Sequence, residues 1–330
     1  MIQLGLIGCG KNGAGNIEKL VAHSGRCRLA AAADLNAELA KAVVAESGDA
    51  ETRVVSDFHE FLDEVDAVVI SSPNFLHAEQ AIACAEAGKH VWIEKPMALS
   101  LAEADAICEA VRKSGVHSFV GFSIRFNASP RTLAAQFAAG EIGDLVSIWS
   151  RRLIDLKRSG WRREFAKSGG VMSELIAHEI DWLTAITGMP ESVYCRVQAD
   201  EKEGLPKDPR DNDYVWMTFG LPGGATGTIE GAQNAPFSEF YRGIVGSTGS
   251  VCEAEHGQKV YHYHTSKERE EVSRLERLDK HGHFLDVLEG RTQSMADAQR
   301  GREIVAITEK ALESAVSGEA VSLKGVIEAV

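Results

Sequence analysis

The feature that most constrains this chain is Gly8-Cys-Gly10-Lys11-Asn12-Gly13, which joins an apolar run at residues 3–7 to a helical pattern reaching Leu20. A strand that ends in spaced glycines and opens directly into a helix is a phosphate-binding arrangement. Gly8 permits the tight turn, Gly10 lets the backbone approach a pyrophosphate, and Gly13 allows close helix–strand packing. The helix N-terminus offers its N–H groups and the positive end of its dipole to the phosphate. Asp34 ends the second strand 21 residues beyond Gly13, where a carboxylate accepts the adenosine ribose hydroxyls. The same carboxylate would repel a 2′-phosphate, and Leu35-Asn36 supplies no arginine to offset it. The expected cofactor is therefore NAD rather than NADP, held by Gly8, Gly10, Lys11, Asn12, Gly13 and Asp34.

Short β-branched runs at 4–7, 29–33, 67–71, 90–93 and 118–120 alternate with Ala-rich helical stretches. Gly48, Gly88 and Gly115 stand where C′ glycines end helices, and Ser100-Leu-Ala-Glu103 reads as a capping box. Alternation at this spacing implies right-handed crossovers and a doubly wound parallel sheet over residues 1–122. The pattern then changes. After a short helix near 130–139, strands are expected at 145–153, 192–198, 214–220, 225–232, 241–245 and 259–264. Turn signals such as Leu221-Pro-Gly-Gly224 and Gly246-Ser-Thr-Gly249 favour antiparallel pairing. Long helices are predicted over 171–187, amphipathic, and near 295–317. The fold class is thus α/β, with residues 123–330 forming an α+β domain on an open, mostly antiparallel sheet.

Composition narrows the function. Within 330 residues, 48 acidic side chains face 35 Lys plus Arg, a net charge of −13. Up to residue 122 there are 10 basic and 17 acidic residues, and beyond it 25 and 31. Neither part is basic, which argues against nucleic acid and anionic membranes as partners. No run approaches the ~18 apolar residues of a membrane span, and the N-terminus lacks the basic n-region of a secretory signal. The six cysteines show no C-x-x-C and no metal-ligand spacing, so they read as buried free thiols in a reducing, cytoplasmic compartment. The charge-alternating run 267–280 reads as a solvated edge or loop.

Two more loops lie at strand C-termini, where doubly wound folds bind ligands. One is Ser71-Ser72-Pro73-Asn74-Phe-Leu-His77. The other is Trp92-Ile-Glu94-Lys95-Pro96, with Lys95–Pro96 a candidate cis peptide. A lysine desolvated at a strand mouth suits proton transfer, although an ordinary turn lysine fits the same residues. At 100° per residue, Glu174, His178 and Asp181 fall within about 60° of one another, with Met172, Leu175, Ile176, Ile180, Leu183 and Ile186 opposite. A carboxylate one turn from a histidine can orient a general base, and a solvated polar face with an i, i+4 pair fits equally. His262 and His264 share one strand face. They read as a sheet-surface or oligomer-interface pair, not as metal ligands, because no third ligand is near in sequence. No metal is expected.

These segments together resemble the Gfo/Idh/MocA family, the glucose–fructose oxidoreductase and inositol dehydrogenase group. The resemblance runs through Gly8-x-Gly10-x-x-Gly13, Ser72-Pro73-Asn74-x-x-His77 and Glu94-Lys95-Pro96, then Gly121-Phe-Ser-Ile-Arg125-Phe126-Asn127. It continues through Trp161-Arg162, Ser168-Gly169-Gly170, Glu174-x-x-x-His178-x-x-Asp181 and the tail Ala311–Val321, and so covers nearly the whole chain. It implies a Rossmann domain with Ser72, Pro73, Asn74, His77, Glu94 and Lys95 added to the cofactor-binding set. It also implies that Lys95 and His178 act on a substrate hydroxyl beside the nicotinamide. Glu174 stands where the family often carries Asp, so it keeps the charge but moves the carboxylate about one methylene. Its role, as a catalytic partner of His178 or as a substrate ligand, stays open. Asp181 matches the family's second acid. Arg125, Asn127, Trp161 and Arg162 are expected to line the substrate pocket with Glu174 and His178.

The expected activity is reversible NAD-dependent oxidation of a secondary alcohol on a sugar, sugar derivative or cyclitol. Two alternatives share the fold. One recycles NAD to cleave a glycoside or eliminate a substituent. The other is a non-catalytic NAD-binding regulator, against which Lys95 and His178 argue. An open sheet with one uncovered face also predicts a homodimer or homotetramer.

Overall fold

The computed structural model describes residues 1–47, 51–156, 159–198, 210, 212–266 and 268–326. Gly48 lies outside the described residues. The chain divides into two compact units, Met1–Gly121 with Asp279–Val305, and Phe122–Leu278 with Ala306–Val330. The sequence places all of 123–330 in the second domain, whereas residues 279–305 return to pack with the first.

The first unit alternates β1 (Ile2–Ile7), α1 (Lys11–Val21), β2 (Cys27–Ala33), α2 (Ala37–Ser47), β3 (Arg53–Val55), β4 (Ala67–Ile70), α3 (His77–Glu86), β5 (His90–Ile93), α4 (Leu101–Ser114) and β6 (Ser118–Val120). The strands pair in parallel in the order β3-β2-β1-β4-β5-β6. Leu4, Leu6, Val68, Val69, Ile70, Val91 and Ile93 are fully buried, as strands covered on both faces require. Gly115 ends α4 in the left-handed region, and the Ser100–Glu103 capping box opens it. The returning segment contains a helix that the sequence reading leaves out. Its Phe284 ring packs edge-on against Trp92 at 5.3 Å, and its His281 stacks on the same indole at 5.2 Å.

The second unit holds α5 (Ala128–Ala138), β7 (Leu145–Ile154), α6 (Phe165–Ser168), α7 (Ala177–Thr187), β8 (Ser192–Gln198), β9 (Tyr214–Gly220), β10 (Thr226–Gln233), β11 (Glu239–Gly246), β12 (Gly249–Ala254), β13 (Lys259–His264) and β14 (Arg269–Val272). After α8 (Lys280–Leu288) and α9 (Ala298–Ser317), β15 (Val321–Ser322) joins the sheet. Nine strands run in the order β14-β13-β12-β11-β7-β10-β9-β8-β15, with β10–β7 the parallel pair. Along β9, Val215, Met217 and Phe219 are buried while Trp216 points outward and stays half-exposed. That period of two marks a sheet with one covered face.

Two expectations are corrected here. The predicted helix over 171–187 is a π-helical turn, Met172–Ile176, followed by α7, and every residue from Ala177 to Thr184 is buried. Its polar residues are therefore internal, and the solvated-face reading falls. His262 shares its strand phase with Val260, which is fully buried, so His262 is internal, whereas His264 at the end of β13 is exposed and alone keeps the surface reading.

Buried charged groups of the second unit are paired through a network that the sequence reading missed. Arg242 donates to both oxygens of Glu179 at 2.7 Å and to Glu253 at 3.0 Å, and Ser150 donates to Glu179 at 2.6 Å. Burial works against ionisation of Glu179, but Arg242, Arg152 and Ser150 outweigh it and hold its pKa low. Glu253 shares only Arg242. Burial, with the nearby Glu179 charge, pushes it from 4.5 up to about 7.

Between those values the folded chain binds a proton at Glu253 that the unfolded chain has released. Stability from this group is therefore full below pH 4.5 and falls as pH rises to about 7. Glu253→Gln is expected to gain on the wild type by roughly 2–3 kcal/mol between pH 5 and pH 8, at about 1.4 kcal/mol per unit. Urea unfolding of both proteins at the two pH values checks this, and parallel profiles would contradict it.

Candidate active site

In the first unit, the glycine loop divides its labour by geometry. Gly8 has φ +88°, and a Cβ there would lie 2.5 Å from the Ser72 nitrogen. A Cβ on Gly13 would lie 2.0 Å from the Gly8 carbonyl oxygen. A Cβ on Gly10 would meet nothing within 4 Å. So Gly8 and Gly13 are required by packing, while Gly10 faces open space at the start of α1, where Lys11 and Asn12 are exposed and no acidic residue lies in the first turn. That space fits a dinucleotide phosphate. Asp34 accepts from the Cys9 N–H and the Asn36 N–H, both at 2.8 Å, which fixes the carboxylate at the end of β2 beside the loop.

These contacts separate two substitutions. Gly13→Ala should lose about 1–3 kcal/mol of stability, because the new methyl overlaps backbone. Gly10→Ala should leave stability unchanged and weaken NAD binding by at least tenfold. Thermal unfolding alongside NADH fluorescence titration distinguishes the two, and equal stability losses would contradict this division.

The loops after β4 and β5 are stitched together. His77 is buried, and its ring nitrogens lie 2.7 Å from the Pro96 carbonyl and 2.9 Å from the Ser72 carbonyl. Burial lowers the ring's pKa, so the neutral ring's single N–H donates to one of these two carbonyls. This makes His77 a positioning residue for the two loops. Asn74 is buried beside it, Pro73 is half-buried, and Ser72 donates to Gln80 at 2.5 Å. Glu94 accepts from Asn16 at 2.9 Å and from the Trp92 indole at 3.1 Å, and so anchors the Lys95 loop to α1. The Lys95–Pro96 peptide is cis, and Lys95 is half-buried.

In the second unit, the π turn carries Glu174, whose carboxylate lies 3.3 Å from Arg162 Nε. Arg162 in turn lies over the Trp161 ring at 4.6 Å. A cation, a carboxylate and an aromatic face are thus brought together, which suits a polyhydroxylated ligand. His178 opens α7, buried, with the Phe122 ring edge-on at 6.2 Å. Asp181 is fully buried and receives both arms of Arg125, the Nε arm at 2.8 Å. Arg125 is therefore committed to α7, and Asp181 anchors it. Asn127 lines a different cavity of about 340 Å³ with Arg152, Arg242 and Glu253, which Trp161, Arg162, Glu174 and His178 do not line.

A glycine-loop cradle at one end of a parallel sheet, with a lysine loop two strands away, is the architecture of a doubly wound dinucleotide-binding domain. The chain belongs to the Gfo/Idh/MocA family: residues 2–122 match the family's NAD-binding Rossmann domain and residues 131–252 its C-terminal domain. It is similar to myo-inositol 2-dehydrogenase of Thermotoga maritima, 32% identical over 207 residues, 60% of each chain. It is also similar to 2,7-anhydro-N-acetylneuraminate hydratase of Escherichia coli, 29% identical over 191 residues, 57% of this chain and 51% of that one. The matches thus span half to three-fifths of those two relatives. A solved levoglucosan dehydrogenase in complex with NADH and L-sorbose superposes with a TM-score of 0.85 over 98% of both chains, at 24% identity, and shows the same fold. Among the described residues, no helix is long and apolar enough to cross a membrane.

Proposed function

We propose that the protein is an NAD-dependent dehydrogenase that oxidises a secondary hydroxyl of a sugar, sugar derivative or cyclitol. The observation that carries this reading is the adjacency of β1, β4 and β5 in the sheet. At about 4.8 Å per strand, the Gly8–Gly13 loop, the Ser72–Asn74 loop and Lys95 project from one edge within roughly 10 Å. A dinucleotide lying on the first two therefore reaches the third.

A nicotinamide held by the Gly8–Gly13 loop and Asp34 would supply the hydride acceptor for the carbinol carbon. The hydroxyl proton goes to His178, and the Lys95 ammonium sets positive charge against the oxygen as alkoxide develops. One C–H and one O–H bond break and a C=O forms, so the electron pair leaves as hydride and the proton stays with the protein. Glu174, held by Arg162, accepts from neighbouring substrate hydroxyls, and Trp161 stacks on the ring face. The outward aromatic residues of the nine-stranded sheet, Trp149, Tyr194, Trp216, Tyr241 and Tyr261, support a homodimer or homotetramer through that face.

The test is formation of NADH from NAD⁺, or of NADPH from NADP⁺, across a panel of sugars, sugar acids and inositols. Turnover with NAD⁺ on one stereochemical subset supports the proposal. NAD binding with no net reduction, together with cleavage or dehydration of a panel member, would move the reading to the NAD-recycling chemistry.

A further inference from the structure

We infer that His262, His264 and Glu270 form a binding site for a divalent transition-metal ion of the zinc class, on the edge hairpin of the nine-stranded sheet. Glu270 stands directly opposite His262 in the β13–β14 register, so the third ligand that the sequence spacing lacks arrives from the neighbouring strand. One ligating atom from each of the three lies within 4.8 Å of the others. The two imidazole rings have centroids 4.1 Å apart, and His264 Nε2 lies 3.8 Å from the Glu270 carboxylate.

A tetrahedral ion with bonds of 2.0–2.2 Å needs its ligand atoms about 3.4 Å apart. The remaining closure falls to His264 and Glu270, whose side chains are 41% and 67% exposed and free to rotate. His262 is the fixed member. It is 4% exposed, and its Nε2 is buried without a hydrogen-bond partner. Buried ring nitrogens are ordinarily satisfied, so an orphaned one on a histidine grouped with a second histidine and a carboxylate points to a ligand.

The surroundings suit a metal. Gly249 on β12 leaves room at the orphaned atom, since a Cβ there would lie 3.0 Å from it. Two imidazoles and a carboxylate select zinc-like ions over magnesium or calcium, which take oxygen sets. The ion would clamp the terminal strand β14 to β13.

The experiment uses untagged full-length protein, stripped with a chelator and titrated with Zn²⁺ by calorimetry and with Co²⁺ by visible absorption. The proposal predicts one ion per chain, Co²⁺ d–d bands of a four- or five-coordinate site, and slower amide exchange in residues 259–272 on Zn²⁺ addition. His264→Ala and Glu270→Gln change exposed side chains and should leave the circular dichroism spectrum intact. Each should weaken Zn²⁺ binding by at least about 100-fold, since even loss of an outer-shell partner costs 10–100-fold. Absence of Zn²⁺ binding, or binding unchanged in both variants, overturns the inference.

Discussion

His178→Asn is expected to lower kcat by at least about 100-fold, the scale of a lost general base, while NAD affinity stays within about twofold of the wild type. Asparagine keeps a polar side chain of similar size in a buried position but cannot accept the hydroxyl proton at neutral pH. Lys95→Met should cost kcat on the same scale, because it keeps the aliphatic stem and removes the charge that opposes developing alkoxide. The two losses should be far from additive, because the proposed mechanism assigns both groups to one proton transfer. Steady-state kinetics with NADH titrations of the same samples checks this. Near-normal turnover in either variant would remove that residue from the mechanism.

The second large effect is on stability. Arg242→Met leaves Glu179 fully buried and facing only Arg152 and Ser150, and leaves Glu253 buried without its cation. Breaking a buried pair by deleting one partner typically costs 3–5 kcal/mol, because an uncompensated charge remains inside. The expected loss is therefore on the order of 4 kcal/mol by urea unfolding at pH 7.5. It should shrink at pH 5.5, where Glu253, with its pKa at about 7, is mostly protonated. Adding Glu179→Gln and Glu253→Gln to Arg242→Met should recover much of the loss, since an uncharged network has no ion to strand. A loss below 1 kcal/mol for Arg242→Met alone would contradict this account of the network.

The sequence discloses most where chemistry is written in local spacing. The glycine loop, Asp34 and the strand-end loops are marked by short alternating strands and adjacent turn residues, and each follows the strand that the sequence assigns it. The second unit resists the same reading because its polar contacts are long-range. Asp181 meets Arg125 across 56 residues and Glu179 meets Arg242 across 63, so no local period reveals either pair. A signal for the second was nonetheless present. Arg242 occupies the same strand phase as Ile244, and Glu253 the same phase as Val251, so charges stood where the alternation asked for core.

The helix over 171–187 misled for a different reason. A wheel at 100° per residue assumes an unbroken α-helix, and the π turn at Met172–Ile176 breaks that assumption just where Glu174 sits. The helix after the charged run 267–280 was hidden by its four-residue opening without an apolar side chain, Lys280-His-Gly-His283, before Phe284 shows an apolar face. Glu270 escaped because cross-strand register depends on turn geometry, which the His-x-His spacing does not contain.

The central claim is hydride transfer from a carbinol carbon with net oxidation. Its most direct test uses a turned-over sugar or inositol carrying deuterium at that carbon, with mass analysis of both products. The account predicts deuterium in the reduced nicotinamide, equimolar with a ketone. Deuterium retained in a cleaved or dehydrated sugar, with no NADH accumulating, would contradict it.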